Sequence, residues 1–270
     1  MSRGAILREA DRQPVIVVEN LTMGFGDDII LKDVNFQVFK GEIFVIVGGS
    51  GCGKTVLMKN MIGLYKPSAG RVLVEGIDIN AGSEDALSLV RQRIGVLFQS
   101  GALIGSMSLA ENVALPLSEQ RKISPALIDM IIKMKLGMVN LAGYENHLPA
   151  ALSGGMKKRA GLARAMVMDP TILFFDEPSS GLDPVTAAEL DDTIKGINEG
   201  MGTTMIIVSH DLASIMNIAH RVIMLEKSHK GIIAEGIPSE LKLHSDDPRV
   251  IQFFNRSHED AEAQGATHGK

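Results

Sequence analysis

Residues 48–55 read Gly48-Gly49-Ser50-Gly51-Cys52-Gly53-Lys54-Thr55 and fit the phosphate-binding pattern G-x-x-x-x-G-K-[ST]. The run 43–47 before them is short, apolar and β-branched, as in a buried strand, and the run 56–61 after them suits a helix. Because the pattern requires this strand-loop-helix context, it favours a nucleotide site over a glycine-rich turn that binds no ligand.

Each part of the loop has an expected role in binding a nucleoside triphosphate. The glycines allow a tight turn and let backbone N–H groups approach an anion, at the N-terminus of the following helix. Lys54 is expected near the β- and γ-phosphates as a point charge. The Thr55 hydroxyl is expected to bind Mg²⁺.

The composition limits the class of protein. A chain of 270 residues can bury a sizeable core, and its formal net charge of −5 argues against a general nucleic-acid binder, which usually has a basic face. The single cysteine excludes an internal disulfide and favours a reducing cytosol. Cys52 is either an inert filler or a thiol whose pKa is lowered by the helix N-terminus, so that its alkylation blocks nucleotide binding.

No stretch of the sequence reads as a membrane span. No apolar run approaches the ~18 to 20 residues that cross a bilayer, and residues 1–9 lack the apolar core of a signal peptide. Hydrophobic residues nevertheless make up 45% of the chain, which leaves room for an apolar surface that faces a partner.

Strand-like and helical segments surround the loop. Short β-prone runs between residues 15 and 43 predict an antiparallel sheet, and the run 70–76 reads as a further strand. Residues from about 105 to 150 are helical in character, with Ser124 and Pro125 at the N-cap and first position of one helix. We therefore predict an α/β core with an inserted helical lobe.

Three buried strands are predicted to end in polar side chains. The run 94–98 ends in Gln99, the run 171–175 in Asp176 and Glu177, and the run 203–209 in His210. In an α/β sheet such groups gather at the carboxyl edge, beside the phosphate loop. Gln99 and Asp176 are then expected to hold Mg²⁺, and Gln99 also to order the attacking water. Glu177 is expected to polarise that water and His210 to contact the γ-phosphate. A solvated acidic strand end and a structural histidine are the alternatives.

Two other segments suit a nucleotide site. Phe25 lies between Gly24 and Gly26, where its ring could stack on an adenine or pack locally. Ser153-Gly154-Gly155 precedes a basic helical run at 157–165 and forms a second candidate anion site, because a helix N-terminus presents free N–H groups.

Together these residues closely resemble the nucleotide-binding subunits of ATP-binding cassette (ABC) transporters, over about residues 15–240. The matching motifs are the aromatic loop at Phe25, Walker A at Gly48–Thr55, the Q-loop at Gln99, the signature at Leu152–Met156, Walker B at Ile172–Asp176 with catalytic Glu177, the D-loop at Ser179–Asp183 and the switch histidine His210. One departure is Met156, where most members have glutamine.

The resemblance implies the fold and the division of the chain. The fold would be the P-loop NTPase ABC ATPase fold of class α/β, with a RecA-like core, an antiparallel β subdomain and an inserted α-helical subdomain. The expected divisions are a flexible N-terminus at 1–13, a nucleotide-binding domain at 14–240 with its helical lobe at about 100–160, and a C-terminal extension at 241–270.

The resemblance also implies a mechanism for a pair of chains. ATP would lie between two copies arranged head to tail, where Ser153, Gly154 and Gly155 of one copy touch the γ-phosphate bound by Lys54 of the other. Asp183 would contact the partner copy across the two-fold axis. A short helix of a transmembrane permease would fit a groove lined by residues 100–117, with Leu103, Ile104, Met107 and Leu109 as candidates; filling the core of the lobe is the alternative.

Within the family, the segments 101–103, 111–117 and 152–156 are similar to the ATPase subunits of Mla systems, which move phospholipids between the membranes of Gram-negative bacteria. This likeness implies an MlaE-like permease, an MlaB-like STAS protein and an MlaD-like substrate-binding protein as partners. It also implies a location on the cytoplasmic face of the inner membrane.

The segment 247–254 is part of the same likeness and predicts a short helix. Asp247 suits its N-cap and Pro248 its first position, with Val250, Phe253 and Phe254 on one face. A helix this short needs a docking surface, on its own domain, on the second ATPase or on an accessory subunit, and the Mla likeness favours the last two. The tail from residue 257 is polar and is expected to be disordered.

Three other functions fit parts of the sequence. A soluble ABC protein acting on nucleic acid or ribosomes usually has two cassettes or a coiled-coil insert, and this chain shows neither. A P-loop kinase would not need the second anion loop at 153–155. An ABC transporter for an amino acid, metal or drug shares every motif, because other subunits select the cargo.

Overall fold

The computed structural model of this protein describes residues 13–118 and 123–255. Its strands are β1 (Pro14–Phe25), β2 (Asp28–Phe39), β3 (Ile43–Gly48), β4 (Ala69–Val74), β5 (Ile77–Asp78), β6 (Ile94–Leu97), β7 (Ile172–Asp176), β8 (Thr204–Val208), β9 (Arg221–Glu226) and β10 (Gly231–Gly236). Its α-helices are α1 (Lys54–Met61), α2 (Glu84–Arg93), α3 (Leu109–Ser118), α4 (Pro125–Met138), α5 (Gly154–Ala165), α6 (Pro184–Met201), α7 (Leu212–Ile218), α8 (Pro238–His244) and α9 (248–255). Of the two segments expected to be loose, residues 1–12 and the tail after residue 255 lie outside this description.

The larger sheet forms the centre of the molecule and determines where the site lies. Its six strands have the order β10-β9-β3-β8-β7-β6, and all neighbours are parallel except β9 and β10. Strands β3, β7 and β8 are buried along their whole length, as expected for parallel strands covered on both faces. Because these strands share one direction, their carboxyl ends meet at one edge of the sheet. The predicted α/β class is confirmed.

The smaller sheet is antiparallel, in the order β2-β1-β4-β5. The β-prone runs near the N-terminus join into two strands of 12 residues each, whose pairing contains several register shifts. One part of the prediction was wrong, because Ile43 begins β3 in the parallel sheet. The strand predicted at 70–76 corresponds to β4, which pairs with β1.

Helices α3, α4 and α5 follow β6 in the chain and precede β7. Ser124 caps α4 by accepting a hydrogen bond from the Leu127 N–H, and Pro125 is its first residue, as predicted. The three helices share one core cluster with the parallel sheet, including Leu109, Val113 and Leu136. The lobe is therefore packed directly onto the sheet that holds the phosphate loop.

Helix α9 docks on the core of its own chain. The Asp247 carboxylate accepts a hydrogen bond from the Arg249 N–H, and Val250, Phe253 and Phe254 are buried in the same cluster as the parallel sheet. Of the three docking surfaces that the sequence left open, the chain's own domain is the one found, and not the second ATPase or the accessory subunit that the Mla likeness favoured. The apolar face of α9 is thus already covered by its own chain, and only 1% of the Phe254 surface is exposed.

None of the helices in the described part of the chain has the length and hydrophobicity that a membrane span requires.

Candidate nucleotide-binding site

The phosphate loop joins β3 to α1, and two of its glycines leave no room for a side chain. A Cβ on Gly48 would lie 2.4 Å from the Leu225 carbonyl oxygen, and one on Gly53 would lie 2.8 Å from a Leu31 methyl. Both residues also have positive φ angles, 145° and 102°, which L side chains rarely adopt. The loop thus presses its backbone against the neighbouring strands and leaves its outer face to a ligand.

Lys54 and Thr55 begin α1 and lie at the carboxyl edge of the sheet. The Lys54 ammonium donates to the carbonyl oxygens of Gly48 and Gly49, at 2.9 and 3.0 Å. The Thr55 hydroxyl donates to Asp176 Oδ1 at 3.2 Å. Burial raises the pKa of Asp176, and the hydrogen bond from Thr55 opposes that shift. Two of the three residues that the sequence proposed as Mg²⁺ ligands, Thr55 and Asp176, are therefore in direct contact.

A cavity of about 1200 Å³ opens above the loop, large enough for a nucleotide. Its lining comes from both halves of the sheet edge: Ile30, Gly48, Gly49, Ser50, Gly51, Gly53, Lys54, Thr55, Val56, Gln99, Glu177, Ser179, Ser180, Gly181, Leu182, His210, Asp211, Leu212, Ala213 and Phe253. The structure thus brings together the phosphate loop and the predicted Gln99, Glu177 and His210. Phe25, Ser153, Gly154, Gly155 and Asp183 are outside this lining.

Glu177 and His210 form a pair at the mouth of the cavity. His210 Nδ1 lies 2.7 Å from Glu177 Oε2. The Glu177 N–H donates to the Val208 carbonyl at 2.9 Å, and its φ of 51° is in the left-handed region. A non-glycine residue at such an angle is held there by its surroundings. The carboxylate is therefore aimed into the cavity by backbone contacts as well as by the histidine.

Gln99 is linked to the segment that follows Glu177 and to helix α5. Its side-chain amide donates to the Ser180 hydroxyl at 3.3 Å. Its backbone carbonyl accepts a hydrogen bond from the buried Lys158 ammonium, which also donates to the Glu177 carbonyl at 3.2 Å. Burial lowers the pKa of Lys158, and the charges of Glu177 and Asp176 oppose the shift.

The second candidate anion site is the exposed start of α5. Ser153 is the N-cap of this helix and accepts a hydrogen bond from the Met156 N–H at 3.3 Å. Gly155 is packed so closely that an added Cβ would lie 2.3 Å from Thr186. Met156 is half-buried and packs against the core. In a single chain, this segment does not line the cavity of Lys54.

Asp183 has a clear structural role in the single chain. Its carboxylate caps α6 by accepting hydrogen bonds from the Val185 and Thr186 N–H groups and from the Thr186 hydroxyl. These bonds, led by the one from the Thr186 hydroxyl, lower the pKa of Asp183. Contact with a partner copy stays a prediction.

Phe25 ends β1 with half of its surface exposed. Its ring meets the edge of Tyr65, at a centroid distance of 5.5 Å and an angle of 83°. The contact leaves the ring partly open, so local packing and stacking on a base both remain compatible with its position.

Of the two interpretations of Cys52, the reactive thiol with a lowered pKa was wrong. The side chain is buried, and desolvation raises the pKa of its thiol despite the opposing charge of Lys54. Its sulfur would be 2.7 Å from a Cβ on Gly48, so the thiol packs beneath the loop. Cys52 is therefore the inert filler that was the alternative.

Two residues of the site, Lys158 and Phe253, were missed at the sequence level, and Ser180 was named only as part of the D-loop. Ser180 bonds to Gln99, Lys158 bonds to two backbone carbonyls, and Phe253 of α9 lines the cavity. A lysine within a basic helical run gives no signal that it is buried, and Phe253 lies far from the other motifs in sequence. Ser180 lies three positions after Glu177, within the D-loop at Ser179–Asp183, and this position was the sequence signal that it belongs to the site.

The donor set suits Mg²⁺. Thr55 and Asp176 supply hard oxygen ligands in contact with each other, and Gln99 lines the same cavity. Burial disfavours the charged form of Asp176, and a neighbouring cation would stabilise that form. Because Mg²⁺ usually takes only one or two protein ligands beside phosphates and waters, no further protein ligand is required.

Sequence comparison now defines the class of protein. The family model described as ABC transporter matches residues 31–180, which include the phosphate loop, Gln99, the start of α5 and Glu177. The chain belongs to the ABC transporter family, and it is an ATP-binding ATPase subunit of that family.

Among individual relatives, the chain is 43% identical to the intermembrane phospholipid transport system ATP-binding protein MlaF of Haemophilus influenzae, over 90% of both chains. It is 44% identical to the Probable ribonucleotide transport ATP-binding protein mkl of Mycobacterium leprae, over 89% of this chain and 68% of that one. The chain thus spans about two thirds of the mycobacterial relative.

The fold is similar to that of a solved cassette, MJ0796, which is dimeric and bound to ADP and phosphate in a post-hydrolysis state. The TM-score is 0.74 at 31% identity, over 82% of this chain and 98% of that one. The predicted P-loop ABC ATPase fold is confirmed.

Proposed function

We propose that this protein is the ATP-hydrolysing subunit of a transporter that moves phospholipids across the envelope of a Gram-negative bacterium. The observation that carries the cargo is the 43% identity with MlaF, which extends over 90% of both chains. The other expected elements are a head-to-tail dimer, a permease and a location on the cytoplasmic face of the inner membrane.

The chemistry is derived from this chain's own groups. The N–H groups of the loop and the Lys54 ammonium bind the β- and γ-phosphates, replacing the bonds that Lys54 makes to Gly48 and Gly49. Glu177 holds the attacking water by accepting its hydrogen bond, and His210 fixes the carboxylate and reaches the γ-phosphate. Mg²⁺ held by Thr55, Asp176 and Gln99 would neutralise the charge of the phosphates.

The arrangement of anion sites supports a shared pocket. One chain carries two of them, the loop at 48–55 and the start of α5, and only the first lines the cavity. Two copies related by a two-fold axis bring the Ser153–Gly155 segment of each to the cavity of the other. The dimeric state of the similar cassette MJ0796 supports this arrangement. Loss of the γ-phosphate contacts then lets the dimer open.

A membrane partner is needed, since transport requires a path through the bilayer. The candidate docking groove follows Gln99, where Ile104 is exposed and Leu103 and Met107 are half-buried. Leu109 fills the core instead, with no exposed surface, so it is removed from the candidates. An MlaE-like permease is the expected occupant, and MlaB-like and MlaD-like proteins are the expected accessory subunits.

A second cargo has a specific observation in its favour. The mycobacterial relative named for ribonucleotide transport has an identity of 44%, equal to that of MlaF within a percentage point. That match covers a smaller share of the relative, 68% against 90%, which is why phospholipid is preferred. Transport of an amino acid, metal or drug has no such support.

The test is co-purification of the tagged full chain from detergent-solubilised native membranes, followed by mass spectrometry of proteins and extracted small molecules. We expect a multi-span permease and bound phospholipid, and transfer of labelled phospholipid by the reconstituted complex with ATP. A complex of the Glu177→Gln variant serves as the control without turnover. Bound nucleotide or nucleoside, together with ATP-driven uptake of that compound and not of lipid, would contradict the phospholipid proposal.

A further inference from the structure

Helix α5 holds the loop that follows β6 through two cationic side chains. The Lys158 ammonium donates to the Gln99 carbonyl, and the Arg164 guanidinium donates to the Gly101 and Ala102 carbonyls at 3.0 and 2.8 Å. Lys158 is 6% exposed, although it lies in a run with the half-buried Lys157 and Arg159. Two charges on one helix are thus directed inward, toward backbone oxygens of the same short loop.

The helix and this loop are also in close contact along their backbones. A Cβ on Gly161 would lie 2.9 Å from the Gly101 carbonyl oxygen and 2.8 Å from a Leu97 methyl. A Cβ on Gly101 would lie 3.0 Å from the Lys157 carbonyl oxygen. Contacts this tight leave no room for the loop to slide along the helix, so residues 99–102 and α5 are packed as one body.

Of the two cationic side chains, Lys158 is the one that also contacts the end of β7, where Gln99 of the loop bonds to Ser180 as well. Its ammonium donates to the Glu177 carbonyl at 3.2 Å, and the Glu177 N–H donates to the Val208 carbonyl. Glu177 has a φ of 51°, an unfavourable angle that neighbouring contacts must maintain. The Ser180 N–H donates to the same carbonyl at 3.2 Å, so this oxygen is where the catalytic segment meets α5.

We propose that Lys158 is a positioning residue that fixes the Glu177 backbone relative to the Gln99 loop and to the start of α5. The proposal rests on the proposed role of Glu177 in hydrolysis. Because a displacement of about 1 Å in a catalytic group can cost ~100-fold in rate, losing this link lowers turnover. ATP binding is retained, since Lys158 does not line the cavity that holds the phosphates.

The test compares three variants of the full-length chain by steady-state ATP hydrolysis and by direct ATP binding. Lys158→Met keeps the length and apolar stem but removes the donors, and we expect kcat at least tenfold lower with KM and the ATP Kd changed less than threefold. Lys158→Arg restores charge and donors, and we expect kcat within threefold of the unchanged protein. Lys157→Met, one residue away, is the matched control and is expected to keep its kcat.

Each outcome decides the proposal. An unchanged kcat in Lys158→Met, or an equal loss in Lys157→Met, overturns it, as does a loss confined to KM. If Lys158→Met does not fold, Lys158→Gln, which keeps shorter donors without the charge, replaces it, with a three- to tenfold lower kcat expected and a wild-type kcat contradicting the proposal. Glu177→Gln is measured in parallel. If this variant hydrolyses ATP normally, the proposed role of Glu177 fails. If Glu177→Gln is inactive while Lys158→Met is fully active, the role of Glu177 stands and only the role of Lys158 is rejected.

Discussion

At the residue scale, the glycines of the phosphate loop differ in what surrounds them. Gly48 faces the Leu225 carbonyl and has a φ of 145°, whereas an added Cβ on Gly49 would meet nothing within 4 Å. The motif pattern treats the first glycine as fixed and the second position as free. The structure gives the physical reason, which is the close approach of β9 to the end of β3.

Gly48→Ala is therefore expected to destabilise the fold by about 1 to 3 kcal/mol, since either the backbone angle or the strand contact must change. Gly49→Ala is the matched control and should change the free energy of unfolding by less than about 0.5 kcal/mol. Urea unfolding of both variants provides the measurement. Equal free energies of unfolding for the two variants would show that a Cβ at position 48 does not destabilise the fold.

Glu177→Gln keeps the size of the side chain and removes its ability to accept a proton. Because a general base contributes typically ~10² to 10⁴ in rate, we expect kcat to fall by about that factor with ATP binding retained. Turnover by phosphate release and binding by equilibrium dialysis check the two parts. Hydrolysis at the normal rate would remove Glu177 from its assigned role.

Single residues were predictable from sequence where a motif fixes them. Thr55 and Asp176 were assigned to one metal site although they are far apart in the chain, and they are in contact. Cys52 was assigned wrongly, because the helix N-terminus was considered and burial was not. Lys158 was missed for the same reason, since burial of a charged side chain depends on tertiary packing and has no local pattern.

At the element scale, α6 and α7 are joined by a buried acid. Asp191 Oδ1 accepts a hydrogen bond from the Ser214 hydroxyl at 2.7 Å, and Asp191 is 4% exposed. Burial raises the pKa of Asp191 from 3.8 to about 6, with the Ser214 bond lowering it and the charges of Asp211 and Asp192 raising it further. Below pH 3.8, Asp191 is mostly neutral in both the folded and the unfolded chain. Above about pH 6, Asp191 is charged in both, and folding must then bury that charge.

Stability contributed by neutral Asp191 is therefore lost as the pH rises from about 4 to 6. Asp191→Asn keeps the acceptor and avoids the charge, so at pH 8 we expect it to be more stable than the unchanged protein, by about 1 to 3 kcal/mol. The gain should shrink at pH 4.5. Urea unfolding at the two pH values tests this, with Glu199→Gln at an exposed position of the same helix as control; a gain independent of pH would contradict the assignment.

Helix α9 gives a second prediction at this scale. Phe254 is 1% exposed and Ile251 on the same helix is 38% exposed. Truncating a buried phenylalanine to alanine typically costs about 3 to 5 kcal/mol, so Phe254→Ala should destabilise the isolated chain strongly. Ile251→Ala is the control and should cost less than about 1 kcal/mol. Similar small effects would mean that α9 is not docked on its own chain.

The sequence predicted that these elements form more reliably than it predicted which surfaces or strands they contact. The cap and the apolar face of α9 were predicted correctly from Asp247, Pro248 and the spacing of Phe253 and Phe254. Its docking surface could not be derived, because an apolar face does not specify which apolar surface covers it. Likewise the β-prone runs at the N-terminus did not show that two 12-residue strands with register shifts would form.

At the scale of the whole molecule, the cavity at the sheet edge contains the phosphate loop but not the second candidate anion site, at the start of α5. The loop at 48–55, Glu177 and His210 are assembled within one chain. The start of α5 does not line this cavity, and its Ser153 and Gly154 are exposed. The proposed head-to-tail pair supplies the missing half, and opening and closing of that pair is what a permease would receive.

The most direct test of this shared site mixes two inactive variants of the full chain. Ser153→Arg blocks the segment given to the partner, and Glu177→Gln removes the base of the chain's own cavity. Each variant alone is expected to lose hydrolysis while still binding ATP. In a mixed pair, one cavity combines an intact Glu177 with an intact Ser153, so a 1:1 mixture should recover up to about a quarter of normal activity. Normal hydrolysis by Ser153→Arg alone, or no recovery in the mixture, would contradict a nucleotide site shared between two copies.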